Sequence, residues 1–220
     1  MKSKKVLILG GLGNASVIGA AIVDANRRGH KELEFAGYLN DREEEGSLIE
    51  GYPVLGKTSD IRKFIEQDYY FINTIFRIDG QEERIQLFEK LSVPDERLAT
   101  FVHPTAYVAP NVKLGPGTVI MPNVSLSPGT VFGKCCLVMV NAIVGHNNVI
   151  GDYCHIAAQA CIGAYLDIGQ GVHIGLNASL RENLKIGKNS TVGMGSVLTK
   201  NVGENEIWIG NPAKFLRKAE

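Results

Sequence analysis

Hydrophobic residues recur at every sixth position between residues 102 and 198. The repeat places an aliphatic side chain, or in one case a phenylalanine, at seventeen consecutive steps without a change of phase. These positions are Val102, Val108, Leu114, Ile120, Leu126, Phe132, Val138, Val144, Ile150, Ile156, Ile162, Ile168, Ile174, Leu180, Ile186, Val192 and Leu198. A period of six fits neither an α-helix nor an isolated alternating strand. It is typical of a parallel β-helix, in which each hexad forms one short strand and one corner.

A second column of residues follows the first at an offset of four positions and contains mostly small side chains. Its members are Ala106, Val112, Thr118, Val124, Thr130, Cys136, Ala142, Cys154, Ala160, Val172, Ala178, Ser190, Ser196 and Val202, with Asn148, Leu166 and Leu184 as exceptions. Glycine often stands directly after the aliphatic residue, where we expect the chain to bend. Both columns are predicted to face a narrow core, and three hexads form one triangular coil.

The first hundred residues show a different pattern, in which short apolar runs alternate with segments of helical spacing. The predicted elements are a strand and glycine-rich turn over 4–13, a helix over 17–29, a strand over 33–41, a loop over 42–51, a helix over 58–67, a strand over 69–76 and a helix over 81–91. Either Asn14 or Ser16 is expected to cap the first helix, and Gly29 to end it. This order predicts an α/β unit of the Rossmann type, with a small parallel sheet.

The pattern changes again after the last hexad. Trp208 and Ile209 are expected to cover the final coil, and a short basic helix is expected after Pro212, because an open solenoid end exposes unpaired strand edges. The sequence therefore predicts three units: a small βαβ domain over 1–100, a β-helix domain over 101–204, and a C-terminal cap and tail over 205–220.

Composition narrows the classes of function that the chain can have. The 23 basic and 23 acidic residues balance, and no basic stripe is present, which argues against nucleic-acid binding. No stretch approaches twenty apolar residues, and the N-terminus leads directly into a strand pattern, so we expect no membrane span and a cytoplasmic location. Of the four cysteines, Cys136 and Cys154 fall in the small inward column, and no CxxC pair occurs, which favours a reducing compartment.

The glycine-rich turn suggests a nucleotide site. A strand, a glycine turn, the N-terminus of a helix and an acidic residue, Asp41, at the end of the second strand are the parts of a nucleotide-binding βαβ unit. The GxGxxG fingerprint is incomplete, because Gly11 and Gly13 are followed by Ser16. A nucleotide diphosphate on a substrate is the favoured interpretation. Nicotinamide binding, or a tight turn without a ligand, are the alternatives.

The histidines of the solenoid are the other candidates for chemistry, because a β-helix core needs none. His146 is the third residue of its hexad, where it is either a surface imidazole at a corner or a general base. His155 and His173 are sixth residues eighteen positions apart, so they should lie in one column on adjacent coils. A zinc site formed by these three histidines is a further alternative. His103, which precedes Pro104, is expected to be structural.

Four segments carry a resemblance to a known family. The hexads, the segment NAIVGHNNVIGDYCHI and the closing IGNPAK resemble the hexapeptide-repeat acyltransferases, and GGLGNAS with HPTAYVAPNVKLG narrows the resemblance to sugar acetyltransferases. This group contains the sialic acid O-acetyltransferases and the bacillosamine and perosamine N-acetyltransferases. The resemblance covers essentially the whole chain.

The resemblance implies a left-handed parallel β-helix and a homotrimer, with acetyl-CoA in the groove between neighbouring β-helices as co-substrate and with no metal. It implies a catalytic site at His146 and Asn147, with His146 as the general base. It also implies contacts to acetyl-CoA at His155, Leu176 and Met194, and contacts to the nucleotide of the sugar at Leu12, Gly13, Asn14, Asn40 and Asp41.

We therefore expect direct acetyl transfer from acetyl-CoA to the amino group of a nucleotide-linked amino sugar, as a step in glycan biosynthesis. O-acetylation of sialic acid or another glycan precursor is the alternative within the family. Two alternatives from other classes are a non-catalytic trimeric scaffold that binds nucleotide or CoA, and a metal-dependent solenoid enzyme similar to the γ-class carbonic anhydrases. No cysteine is required as a covalent nucleophile.

Three positions depart from the family pattern. Family members usually carry Asp or Glu directly after the catalytic histidine, where this chain has Asn147, and Asp152 is the candidate for a carboxylate that assists instead. The glycine turn usually has a histidine at the position of Asn14. The third strand usually ends in a glycine–asparagine loop, where this chain reads Phe76-Arg77-Ile78-Asp79.

Overall fold

A computed structural model of the chain describes residues 3–219. The strands of its first part are β1 (Lys4–Leu9), β2 (Leu33–Leu39), β3 (Leu48–Ile49), β4 (Tyr52–Gly56) and β5 (Tyr70–Asn73). The helices are α1 (Asn14–Arg27), α2 (Ile61–Glu66) and α3 (Gln81–Lys90), with 3-10 turns at Thr58–Asp60 and Asp95–Arg97. The strands form one sheet in the order β3-β4-β2-β1-β5, and every neighbouring pair is parallel except the β3–β4 hairpin.

The central strand β1 is apolar on both sides because both sides are covered. Val6 and Ile8 pack in the cluster that contains the buried face of α1, whereas Leu7 and Leu9 pack in the cluster that contains α2 and α3. Continuous apolar runs of this kind are typical of parallel strands with a layer of helices on each face. The Rossmann-like unit predicted for this region is therefore confirmed.

The details of this unit correct several expectations. Neither Asn14 nor Ser16 caps α1, because Gly13 occupies the N-cap at φ 97° and no side chain bonds to the free amides. The segment over 42–51 is not all loop, since β3 pairs with β4 across Glu50 and Gly51, which both have positive φ, as a two-residue hairpin turn requires. The third strand is also shorter than predicted and ends at Asn73.

The second part is a solenoid of two-residue strands, one for each hexad. In chain order they are β6 (Phe101–Val102), β7 (Tyr107–Val108), β8 (Lys113–Leu114), β9 (Val119–Ile120), β10 (Ser125–Leu126), β11 (Val131–Phe132), β12 (Leu137–Val138), β13 (Ile143–Val144), β14 (Val149–Ile150), β15 (His155–Ile156), β16 (Cys161–Ile162), β17 (Asp167–Ile168), β18 (His173–Ile174), β19 (Ser179–Leu180), β20 (Lys185–Ile186), β21 (Thr191–Val192) and β22 (Val197–Leu198). Strands eighteen residues apart pair in parallel, which confirms three hexads per coil.

The strands form three flat faces, which we name by their outward residues. On the covered face every outward residue is buried: Phe101, Val119, Leu137, His155, His173 and Thr191. The uncharged face presents Tyr107, Ser125, Ile143, Cys161, Ser179 and Val197. The charged face presents Lys113, Val131, Val149, Asp167 and Lys185. The edge between the covered and uncharged faces is the cavity edge, and the edge between the uncharged and charged faces, which carries residues 145–148, is the His146 edge.

The core of the solenoid follows the two columns of the sequence. The aliphatic column is buried from Ile120 onward, and only its first three members, at the open lower end, are partly exposed. The second column is buried from Thr118 onward, including its larger exceptions. Asn148, completely buried, donates to the carbonyl oxygens of Gly145 (2.7 Å) and Gly163 (2.9 Å) and accepts from the Leu166 N–H (2.7 Å), so its polar groups are satisfied.

Glycine has a different role at the corners from the one expected. The left-handed residue of each corner lies two positions later and is often asparagine, for example Asn147 at φ 56°. The glycine after the aliphatic residue is required because consecutive coils touch there: a Cβ on Gly145 would lie 2.5 Å from the Gly163 carbonyl oxygen. The repeated glycine is therefore required by the stacking of the coils, whereas the bend occurs at the residue with positive φ, which is often asparagine.

The C-terminal segment forms a β-hairpin of β23 (Glu206–Gly210) and β24 (Ala213–Lys218). β23 pairs in parallel with β21, so the hairpin extends the covered face and satisfies its upper strand edge. The basic helix predicted after Pro212 is wrong, because the backbone of this segment bonds to β23 in antiparallel register. Trp208 is half-buried against the core, whereas Ile209 is largely exposed.

The two parts meet through a short connection. Ala99 donates to the Phe71 carbonyl of the sheet, and Phe101 donates to the Thr118 carbonyl of the solenoid. His103 is buried, with Nδ1 2.9 Å from the Thr105 hydroxyl and Nε2 3.1 Å from the Asp24 carboxylate of α1, so it ties the solenoid to the sheet. Among residues 3–219 no helix has the length and apolar character needed to cross a membrane.

Candidate active site

The covered face carries a pair of buried histidines. His155 on β15 and His173 on β18 are direct neighbours in register, as their spacing predicted. Their rings stack with centroids 5.0 Å apart and planes 16° apart, and their Nδ1 atoms lie 3.0 Å from each other. Each side chain is only 6% exposed, although both residues point away from the core of the solenoid.

Residues of the N-terminal unit bury this pair. The Phe76 ring lies 4.4 Å from the His155 ring and 5.4 Å from the His173 ring, and Asn14 Nδ2 lies 3.3 Å from His155 Nε2. Burial lowers the pKa of His155 to about 3, with a further contribution from His173, and burial lowers the pKa of His173 to about 4. Both rings are therefore neutral at pH 7.

A cavity of about 670 Å³ opens at the pair and follows the cavity edge. Its lining is mostly apolar and includes Met139, Ala157, Ala158, Gly175, Leu176, Gly193, Met194 and Ile207. Leu176 and Met194, expected at the cofactor, are exposed by 52% and 76% and lie one coil apart at its rim. The structure therefore brings His155, Leu176 and Met194 to one cavity.

The loop that follows β5 forms part of the roof of this cavity. Its residues Phe76, Arg77, Ile78 and Asp79 all line the cavity. Thr191 donates its hydroxyl to the Ile78 carbonyl (2.9 Å), and the Arg217 guanidinium bonds to the Asp79 carboxylate (2.5 Å). Sequence reasoning noted this loop as a departure from the family but did not predict its position over the histidines.

A second cavity, of about 610 Å³, lies at the carboxyl ends of β1 and β2. It is lined by the glycine turn with Leu12, by Asn40 and Asp41, and by Arg84 and Lys90 of α3. Ligands of open parallel sheets bind at this end of the strands. Arg42 and Glu43 also line the cavity. Arg84 and Lys90 were not predicted, because only the packing of α3 turns them toward the cavity.

The predicted nucleotide residues divide between the two cavities. Leu12 lies at the second cavity and Asn14 at the first, with Gly13 between them. The side chains of Asn40 and Asp41 hold the local backbone: Asn40 bonds to Gly10 O and to the amides of residues 42 and 43, and the Asp41 carboxylate accepts from the backbone and hydroxyl of Thr58. The glycine turn thus forms a bridge from one cavity to the other.

His146 lies elsewhere, at the exposed His146 edge. Its ring contacts the Tyr165 ring edge-on at 4.9 Å, and its Nδ1 lies 3.1 Å from Asn147 Nδ2. An amide nitrogen can only donate, so in this arrangement Nδ1 accepts and the proton of a neutral ring is on Nε2. Within one chain, His146 lines neither of the two large cavities.

Two possibilities raised by the sequence, assistance of His146 by Asp152 and a zinc site, are not found within residues 3–219 of one chain. The Asp152 carboxylate accepts from the Lys134 N–H (2.8 Å) at the edge between the charged and covered faces, so it is not the partner of His146. His146 also stands on a different edge from the histidine pair, and residues 3–219 contain no group of three His, Cys, Asp or Glu arranged to hold a metal ion. Within one chain, the three histidines therefore do not form the zinc site weighed as an alternative.

The cysteines offer no activated nucleophile. Cys136 and Cys154 occupy the small inward column as predicted, and their thiols lie 3.1 Å from the carbonyl oxygens of Gly151 and Gly169. Cys135 is also buried, and burial raises the pKa of its thiol to about 12. Cys161 is exposed on the uncharged face.

Comparison with known proteins supports the resemblance at the level of fold. No family model and no curated protein matches the chain. The acetyltransferase domain of PglB from Neisseria gonorrhoeae is 26% identical, with a TM-score of 0.84 over 97% of this chain and 100% of that chain. In its fold, the chain is similar to the hexapeptide-repeat acetyltransferases. The predicted β-helix and its pairing with a Rossmann-like unit are both confirmed.

Two further hexapeptide-repeat structures match along their length. A variant of the perosamine N-acetyltransferase from Caulobacter crescentus, solved with CoA and GDP-perosamine, is 24% identical with a TM-score of 0.82, covering 97% of each chain. WeeI from Acinetobacter baumannii is 26% identical with a TM-score of 0.64, covering 97% of this chain and 100% of that chain. The likeness thus extends over both parts of the molecule.

Proposed function

We propose that the protein transfers an acetyl group from acetyl-CoA to the amino group of a nucleotide-linked amino sugar. One observation carries the proposal: an apolar cavity along the edge of the β-helix ends at a buried histidine pair. This cavity belongs to a chain that matches an acetyltransferase domain over almost its whole length.

The first cavity suits the acyl carrier. Ala158, Leu176 and Met194 repeat every eighteen residues along the cavity edge, so they rise in steps of about 4.8 Å, the spacing of paired strands. An extended, mostly apolar arm such as that of CoA can follow this column toward the histidines. The PglB domain has been solved with acetyl coenzyme A.

The second cavity suits the acceptor. The N-terminus of α1 follows the glycine turn and favours an anionic group. The basic residues Arg42, Arg84 and Lys90 outnumber the acidic Asp41 and Glu43 in the lining. A nucleotide diphosphate held there would extend past Gly13 toward Asn14, which lines the first cavity. The Caulobacter crescentus relative has been solved with GDP-perosamine, a nucleotide-linked amino sugar.

The chemistry we propose is direct transfer. The acceptor amine attacks the thioester carbonyl carbon, a C–N bond forms, and the C–S bond breaks to release CoA. His146 removes the proton that the amine loses, and the released thiolate takes up a proton. Nε2 of His146 is bare when Nδ1 carries the proton, and rotation of the Asn147 amide by half a turn presents its oxygen to that N–H.

A second copy of the chain is needed to complete this site. His146 and the first cavity lie on opposite edges of the uncharged face, so they do not meet within one chain. Packing through the uncharged face, whose outward column has no charged residue, would bring the His146 edge of one copy to the cavity edge of the next. Because each copy then uses two different edges, a closed homotrimer is the assembly that we propose.

The first test is a thermal shift of the pure protein with acetyl-CoA, with CoA, and with a panel of UDP-, GDP- and dTDP-linked amino sugars. A ligand that binds only the folded state raises the melting temperature once its concentration exceeds its Kd. We expect stabilisation by the CoA ligands and by one nucleotide class, and acetyl transfer when both are present. Absence of any shift at millimolar concentrations would refute the proposal.

The shared site has its own test, by mixing two inactive variants. Met194→Glu places a charge in the exposed rim of the cavity, and His146→Ala removes the base. In trimers co-expressed at equal amounts, about one site in four combines an intact cavity with an intact His146 from the neighbour, so about a quarter of the activity should return. No recovery at all would show that cavity and base come from the same chain.

One observation favours a second candidate, a trimeric scaffold that binds CoA or nucleotide without catalysis. Asn147 donates to His146 Nδ1 in the arrangement found here, which places the proton on the nitrogen that a base must keep bare. Asn147→Asp decides between the two, because a carboxylate accepts from Nδ1–H. For an enzyme we expect turnover to rise by about tenfold, whereas a scaffold would remain inactive with either residue.

A further inference from the structure

The geometry of the histidine pair determines which of its ring nitrogens carry a proton. Both rings are neutral at pH 7, because burial lowers their pKa values to about 3 and about 4. A neutral imidazole has one N–H and one bare nitrogen. Since the two Nδ1 atoms lie 3.0 Å apart, one of them is the donor and the other the acceptor. The Nε2 atom of one ring is therefore bare, and that of the other ring carries a proton.

Asn14 determines which of the two rings has the bare Nε2. Its amide nitrogen lies 3.3 Å from His155 Nε2 and can only donate, so this Nε2 is the bare acceptor. The proton of His155 is then on Nδ1, which donates to Nδ1 of His173. His173 in turn carries its proton on Nε2. The direction of the hydrogen bonds thus runs from Asn14 through His155 to His173.

His173 lines the first cavity, and within residues 3–219 its Nε2 makes no hydrogen bond. An N–H group in a mostly apolar cavity loses its water when a ligand enters and favours a ligand that can accept from it. His155 cannot serve this purpose, because its Nε2 is bare and faces Asn14. A carbonyl oxygen requires a donor, and His173 provides one.

We propose that His173, through Nε2–H, donates a hydrogen bond to the thioester carbonyl of the acyl-CoA, and that Asn14 and His155 are positioning residues that hold His173 in this tautomer. The identity of the ligand rests on the proposed function. The assignment of the tautomers does not depend on it. The arrangement requires Asn14 beside two stacked histidines. The donor that we propose, His173, is a residue that the family resemblance did not indicate.

The tautomers can be measured in the free protein. Two-bond proton–nitrogen spectra of histidine labelled with ¹⁵N distinguish a protonated from a bare ring nitrogen, and single His→Asn variants assign each ring. At pH 7 we expect His155 protonated at Nδ1 and His173 protonated at Nε2. The opposite pattern, with His155 protonated at Nε2, would overturn the proposal whether or not the protein is an acetyltransferase.

The role of Asn14 is tested by Asn14→Asp. A carboxylate can only accept, so it would draw the proton of His155 to Nε2 and reverse both tautomers. Val17→Asp is the matched control, because it adds the same charge to the first turns of α1 at an exposed position away from the pair. Reversal in both variants, or in neither, would refute the assignment to Asn14.

Ligand binding tests the role of His173, with CoA as the ligand that lacks the carbonyl. Asparagine at position 173 replaces Nδ1 but removes the donor at Nε2, whereas glutamine retains a donor near Nε2. By calorimetry we expect His173→Asn to raise the Kd of acetyl-CoA roughly tenfold and leave that of CoA unchanged, with His173→Gln close to the wild type. Equal weakening of both ligands would contradict the contact. Failure of the wild type to bind either would instead refute the proposed function.

Discussion

The histidines of the solenoid occupy opposite settings at the His146 edge and on the covered face. At the His146 edge, the imidazole is exposed, and its ring contacts a neighbouring tyrosine and an amide. Near the cavity edge, His155 and His173 are buried under Phe76 and bonded to each other and to Asn14. The coils beneath both sites have the same backbone geometry, so the solenoid itself does not cause the difference.

The comparison shows that the N-terminal unit determines the chemistry of the solenoid. Where it covers a face, burial keeps the imidazoles neutral and fixes their protons. Where it does not, the imidazole of His146 is accessible to water within one chain. We therefore propose that His146 removes the proton and that His173 of the buried pair binds the carbonyl, and four experiments examine these two settings and their supports.

The largest effect is expected for His146→Ala. Loss of a general base lowers the rate of a transfer reaction by between about 100-fold and 10,000-fold. Because His146 is proposed to act on the acceptor amine and not on CoA, binding of CoA should not change. Steady-state turnover and a thermal shift with CoA measure the two properties separately. Turnover within twofold of the wild type would show that the base lies elsewhere.

The second-largest effect is expected for the buried hydrogen bonds that Asn148 makes beneath the His146 edge. Asn148→Ala removes three buried hydrogen bonds, at about 1 kcal/mol each, so we expect the free energy of unfolding to fall by about 3 kcal/mol. Denaturant unfolding measures this change. Asn147→Gly is the control, because glycine adopts its positive φ without strain and should leave stability nearly unchanged. Equal stability of Asn148→Ala and wild type would show that the network contributes nothing.

The buried pair predicts a dependence of stability on pH. Both folded pKa values lie below the unfolded value of about 6.5, so between pH 4 and 6.5 the unfolded chain binds more protons, and stability falls as pH falls. From pH 6.5 to 5.5 the expected loss is about 1 kcal/mol for each histidine, or about 2 kcal/mol together. Unfolding measured at both pH values tests this.

Two variants serve as controls for the pH experiment. His173→Gln should lose about half of the expected slope, because one of the two buried imidazoles is absent. Asn147→Gly should retain the whole slope, because this exposed residue has no titratable group. An equal slope in all three proteins would mean that groups other than the pair cause the dependence.

The smallest effect is expected for the ion pair that attaches the loop over 76–79, above the first cavity, to β24. The ion pair of Arg217 with Asp79 is partly exposed, so Arg217→Gln should lower the free energy of unfolding by less than about 1 kcal/mol. Thr191→Val removes the hydroxyl that bonds to Ile78 and provides the comparison on the buried side of the same loop. A loss above about 2 kcal/mol for Arg217→Gln would show that the ion pair is the principal attachment of the roof.

The sequence predicted the solenoid well because its signal is local and repeated. Each aliphatic position is reinforced by sixteen others in the same phase, and the column of His155 and His173 followed from the period alone. The N-terminal strands and helices were also placed, although β3 was missed because its hairpin depends on two residues, Glu50 and Gly51, that the charged composition of the loop obscured.

The parts that could not be predicted depend on contacts between distant residues. Phe76 covers a histidine 79 positions later, and Thr191 bonds to a residue 113 positions earlier. No period or local propensity encodes such pairs. The tail after Pro212 was predicted as a helix for the same reason, since its strand forms only because β23 offers an edge.

The coil of eighteen residues has a consequence for how this chain can change in length. An insertion or deletion of eighteen residues returns every later side chain to the same face, whereas one of six residues turns all later side chains to the next face. Changes whose length is not a multiple of six disrupt the inward column. Evolution or design can therefore lengthen the groove by whole coils, each adding about 4.8 Å, and the length of the acyl carrier that fits is set in discrete steps.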